Sequence, residues 1–115
     1  MALYFRNSTN RTLWIVYAYY SPGCPGVTWA KKGWYKNLPE NTVNVRSGFA
    51  GGQTFFYFAH DDAGREWSGE FSTQVPSNAF EWCWDVGSTT ARTVGFRQVG
   101  PIDSSFTDYT VNLTP

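Results

Sequence analysis

The sequence predicts an all-β fold, a single antiparallel β-sandwich or small barrel of about eight or nine short strands. Three observations predict it. No stretch of 11 or more residues keeps the apolar i, i+3, i+4, i+7 spacing that an amphipathic helix needs. Short aromatic and β-branched runs recur along the whole chain, separated by Gly, Pro, Asn, Asp and Ser. The chain has 115 residues with six Trp, seven Tyr and nine Phe, enough apolar surface for one core and too little length for two ordinary domains. One domain is therefore expected over residues 1–115.

The expected elements follow in order. Residues 2–8 (ALYFRNS) form a first strand, and Asn10-Arg11 turns the chain into 12–20 (TLWIVYAYY), which is apolar on both alternating faces. Ser21-Pro22-Gly23-Cys24-Pro25-Gly26 makes a rigid loop, because its prolines and glycines cannot extend a ladder. Residues 27–37, with Trp29, Trp34 and Tyr35 around Lys31-Lys32-Gly33, suit two short strands with a kink. A strand at 42–47 and a Gly-rich turn at 48–52 lead to a strong strand at 53–60 (QTFFYFAH). Asp61-Asp62-Ala63-Gly64 is a hairpin turn, with 65–72 returning. In 79–86 (AFEWCWDV), Phe80, Trp82, Trp84 and Val86 alternate with Glu81, Cys83 and Asp85; two last strands lie near 92–99 and 106–113.

Charge and patterning exclude several classes of function. Nine basic and nine acidic residues cancel and are scattered, so no cationic stripe exists to neutralise a phosphate backbone, and nucleic acid is not an expected partner. No apolar run reaches the length of a transmembrane segment, and MALYFRNST meets polar residues too soon for a signal-peptide core. Cytoplasmic synthesis without a signal peptide is expected, followed by retention, release on lysis or leaderless export, unless a presequence has been removed. Cys24 and Cys83 have no second pair and form no zinc or C-x-x-C motif. Their spacing leaves a disulfide open, while cytoplasmic synthesis favours two free thiols.

Three segments together resemble a bacterial family of small proteins known as domain of unknown function 1036. They are Phe5-Arg6-Asn7-Ser8-Thr9 with Leu13-Trp14-Ile15, Gly33-Trp34-Tyr35 with Leu38-Pro39-Glu40, and Tyr57-Phe58-Ala59-His60-Asp61 running into Gly64-Arg65-Glu66-Trp67-Ser68-Gly69. The likeness spans most of residues 3–100 and implies a β fold without supplying a site, since the family has no assigned activity. Arg6 and Asn41 stand near places where the family has cysteines. A ten-residue likeness, Phe80-Glu81-Trp82-Cys83-Trp84-Asp85 followed by Gly87-Ser88, is similar to aegerolysins and implies lipid recognition.

Catalytic chemistry finds little support. His60 is the single histidine, and although Cys24 or Cys83 can be imagined beside it, nothing local activates either thiol. Asp61 and Asp62 are weak candidates for a metal, since Asp and Gly at a hairpin serve the turn itself. The carboxylate pairs Glu66/Glu70 and Glu81/Asp85 suit solvated faces, and Gly51-Gly52 lacks the strand–loop–helix context of a phosphate loop. No cofactor is called for. The Asn-x-Ser/Thr triplets at Asn7, Asn10 and Asn112 read as strand and turn polars.

The aromatic surplus is the one positive functional signal. Phe55, Phe56, Tyr57, Phe58, Trp67 and Phe80 are expected in the core. Trp29, Trp34 and Tyr35, with Tyr19, Tyr20 and Trp84, are the candidate ligand-binding residues, because aromatic faces stack on sugars, sit at lipid headgroups and anchor protein interfaces. The leading expectation is a non-enzymatic module for a carbohydrate or similar cell-surface ligand. The others are a lipid-binding toxin component and an assembly protein with an aromatic homo-oligomer interface.

Overall fold

A computed structural model describes residues 2–48 and 51–115, and among them there are ten strands and no helix. The strands are β1 (Ala2–Asn7), β2 (Leu13–Tyr20), β3 (Trp29–Asn37), β4 (Thr42–Ser47) and β5 (Phe55–Asp61) in the first half. The second half holds β6 (Glu66–Trp67), β7 (Phe71–Val75), β8 (Phe80–Cys83), β9 (Arg92–Val99) and β10 (Tyr109–Leu113). The all-β class is as expected. The Gly-rich turn expected at 48–52 lies partly outside the described residues.

Three local expectations are corrected. Residues 29–37 form one strand rather than two, and the expected kink is a bulge: Ile15 pairs with Tyr35 and Tyr17 with Lys32, so Val16 alone opposes both Gly33 and Trp34. Glycine is required there, since a Cβ on Gly33 would lie 2.9 Å from Val16 Cβ. The return segment 65–72 is broken at Ser68-Gly69-Glu70, giving the short β6 and a separate β7. The architecture is also not purely antiparallel, because β10 lies parallel to β1.

Two sheets face each other. One has the order β10-β1-β4; the other runs β7-β9-β5-β2-β3-β8, with β6 sharing the edge of β5. The layer between them is apolar because alternate residues of each strand point inward: Leu3 and Phe5 from β1, Ile15 and Tyr17 from β2, Phe55 and Tyr57 from β5. Phe5 and Tyr57 meet edge to face, with centroids 5.2 Å apart. A buried amide pair ties the layers together. Asn7 Nδ2 donates to the Asn37 and Arg11 carbonyls, and Asn37 Nδ2 donates back to the Phe5 carbonyl. Asn7 is thus a structural amide, in keeping with its reading as an ordinary strand polar.

The larger sheet curls around a second core on its opposite face, formed by Val16, Ala18, Phe58, Val75, Val94 and Phe96. Curling brings its two edge strands together, and side chains close the seam. Lys31 on β3 is fully buried, and its Nζ donates to Thr73 Oγ1, the Gln74 carbonyl and the Val86 carbonyl at 2.6–2.7 Å. Thr73 Oγ1 in turn donates to the Trp84 carbonyl. An ammonium has three hydrogens, and here each meets an acceptor. Burial pushes the Lys31 amine down to about 8 from its ordinary 10.5, with the Asp85 carboxylate opposing. The two edges of the curled sheet are thus joined by side chains, Lys31 and Thr73, rather than by a strand ladder.

Candidate functional site

A curled sheet with a filled middle leaves its two mouths open, and each mouth carries aromatic residues. The larger opening, a cleft of about 750 Å³, lies at the start of β2, the ends of β5 and β7 and the start of β9. Trp14, His60 and Trp34 build its wall. Trp14 and His60 are cross-strand partners whose rings stack at 5.7 Å, and Lys36 is the partner of Trp14 on the other side. The bulge at Gly33 sets Trp34 on the same face, edge-on to His60 at 5.2 Å. Trp34 is fixed at its far end, where Nε1 donates to the Pro76 carbonyl at 2.8 Å.

The polar rim of this cleft is specific in its hydrogen bonding. His60 Nδ1 lies 3.0 Å from the Asp61 carbonyl, which can only accept, so Nδ1 carries the hydrogen, and in the neutral ring Nε2 is the acceptor. Asp61 Oδ1 accepts from the Ala63 and Arg65 amides at 2.8 and 2.9 Å, an Asx turn that organises the β5–β6 hairpin. Burial of Asp61 pulls its carboxyl upward, but these amides, with Arg11 and Arg65 nearby, hold it below the usual range. Asp62 faces Arg11 at 3.2 Å. Both weak metal candidates thus have occupied carboxylates, and no group of three or more potential ligands occurs among the described residues.

The smaller opening, about 170 Å³, is at the opposite end and is lined by Val27, Trp29, Phe56, Phe71 and Trp84. Tyr20 stands beside it, edge-on to Trp29 at 5.8 Å and 54% exposed. The loop that borders it is tied down by a Cys24–Cys83 disulfide. The expectation of two free thiols is therefore corrected: cross-strand pairing of Ala30 with Cys83 carries β8 to the foot of the 21–28 loop, a proximity that chain spacing does not reveal. The bond also removes both sulfurs as nucleophiles for His60.

The six aromatic residues singled out from sequence do not share one surface. Trp29, Tyr20 and Trp84 surround the small mouth, and Trp34 lines the large one. Tyr19 and Tyr35 point to the other face, against the core between the sheets. Tyr35 OH donates to the Val45 carbonyl, Tyr19 OH bonds Glu81, and Arg46 lies over the Tyr19 ring at 4.1 Å. None of the six tryptophans is fully exposed: Trp67 is buried and the others are half-buried. Trp14, Lys36 and Arg92 were missed. Period-2 alternation gives the signal that finds Trp14, since it places Trp14 on the same face as Val16 rather than among the inward residues Leu13 and Ile15. No protein-family model matches the chain, and comparison with curated proteins and with solved structures gives no match.

Proposed function

We propose that the protein is a non-enzymatic recognition domain that holds a carbohydrate of a cell surface or extracellular polymer in the large mouth of its curled sheet. The observation that supports this most is the pairing of Trp14 and Trp34 on the wall of an open 750 Å³ cleft whose rim carries His60, Lys36 and Arg92. A pyranose presents C–H faces that stack on indole and hydroxyls that need donors and acceptors, and this wall offers both. Packing already holds the rings, so little side-chain freedom is lost on binding. The Cys24–Cys83 bond supports work in an oxidising compartment.

A glycan array tests the proposal. Wild-type signal should be lost in Trp14→Ala and retained in Trp29→Ala, with circular dichroism confirming that both variants fold. Signal that survives Trp14→Ala and Trp34→Ala contradicts it. A second reading, contact with membrane lipid, is supported by the opposite mouth, where Tyr20, Val27 and Phe71 expose 54, 39 and 37% of their surface. It expects liposome co-sedimentation that Tyr20→Ser with Phe71→Ser removes. Self-association through those residues instead gives a dimer mass by sedimentation that the same pair of substitutions returns to monomer.

A further inference from the structure

We propose that the sugar taken by the large cleft is an acidic one, a pyranose bearing a carboxylate, an inference that rests on the carbohydrate reading above. Of the cleft's carboxylates, Asp61 is engaged by the amides of its turn, while Asp62 meets Arg11 at 3.2 Å in a pair open to solvent. Its two cations, Lys36 and Arg92, keep donors free. Lys36 is exposed, and its ammonium makes no hydrogen bond or ion pair among the described residues. Arg92 packs its guanidinium over the Phe58 ring at 5.4 Å and reaches Glu66 with Nη1 alone, at 3.4 Å, in a pair open to solvent on both sides. A pair of that kind is worth little, so Arg92 can turn its remaining donors to a ligand.

The arrangement of these groups fits the parts of an acidic sugar. Lys36, Trp14 and His60 form one cross-strand row on β3, β2 and β5, placing a cation, an aromatic face and an acceptor side by side. A sugar ring stacked on the indole face of Trp14 that His60 leaves open has its carboxylate toward Lys36. Arg92 lines the cleft from β9 and supplies a planar fork that matches a carboxylate.

Titration calorimetry with two oligosaccharides of the same linkage tests this, one of uronic acid units and the other with those carboxylates reduced to alcohols. The uronate is expected to bind at least tenfold more tightly, with the advantage abolished by Lys36→Gln and reduced by Arg92→Gln. Lys36 is exposed, so its substitution leaves the fold intact. Equal or tighter binding of the reduced sugar overturns the inference while leaving the carbohydrate reading standing. Uronate preference that is unchanged in Lys36→Gln and Arg92→Gln also overturns it. Binding of neither sugar, in a protein that also gives no signal on a glycan array, overturns both.

Discussion

Lys31 is the residue on which the curled sheet most depends. Its Nζ bonds both edges of the seam, to β7 through Thr73 and Gln74 and to the segment after β8 through Val86. Lys31→Met removes the donor and leaves three inward acceptors unpaired, with an expected loss of roughly 3 kcal/mol in urea denaturation. The pH dependence has a definite sign. Folded Lys31 releases its proton near 8 and unfolded lysine near 10.5, so between these values the unfolded chain binds more protons and stability rises with pH. Above pH 10 the trend reverses, since burial, aided by Glu81, pushes Tyr19 up to about 12 and the folded protein keeps a proton that the unfolded chain loses. The rise between pH 8 and 10 should be absent in Lys31→Met. At Gly33, an added Cβ meets Val16, so Gly33→Ala is expected to lower stability by about 1–3 kcal/mol and to shift Trp34, visible as altered tryptophan fluorescence. At this scale the sequence told residue types but not burial. Lys31-Lys32 reads as a solvated pair, and only the closure of the sheet places Lys31 inside.

Among the elements, the 21–28 loop and β8 are joined by the Cys24–Cys83 bond across a separation of 59 residues. Loop closure of that length contributes about 4 kcal/mol in the chain-entropy account, so Cys24→Ser with Cys83→Ser should lower stability by an amount of that order. Hydrogen exchange should speed up first at Ser21 and Trp84, whose amides donate to Thr28 and Trp29 around the small mouth. The large cleft lies at the other end, so its ligand affinity is expected to stay within about twofold. A cleft that fails together with the disulfide would mean that the two mouths are coupled. Strand positions were legible from local pattern, as β2, β4, β5 and β9 show. The bulge in β3 and the break between β6 and β7 were not, because each depends on the neighbour it packs against: Val16 for Gly33, and Gly95, whose carbonyl receives the Gly69 amide.

For the whole molecule, alternation and turn chemistry foretold a two-layered β domain, while strand order required tertiary pairing. β10 comes back to lie parallel to β1, a contact between the chain's two ends that no local signal encodes. The same distance hid the site. Trp14, Trp34, His60 and Arg92 come from four strands, and the apolar runs around Trp14 and His60 read as core because one face of each strand is indeed core. Curling of the sheet separates the aromatic wealth into two mouths and a filled middle, and the proposed recognition belongs to one of them. The most direct measurement is a ¹H–¹⁵N spectrum of the six tryptophan indoles and the backbone during titration with an acidic oligosaccharide. The account expects shifts at the Trp14 and Trp34 indoles, His60 and Lys36, with Trp29, Trp67 and Trp84 unmoved. Shifts centred on Trp29 and Trp84, or a saturating ligand that leaves Trp14 and Trp34 unchanged, would contradict it.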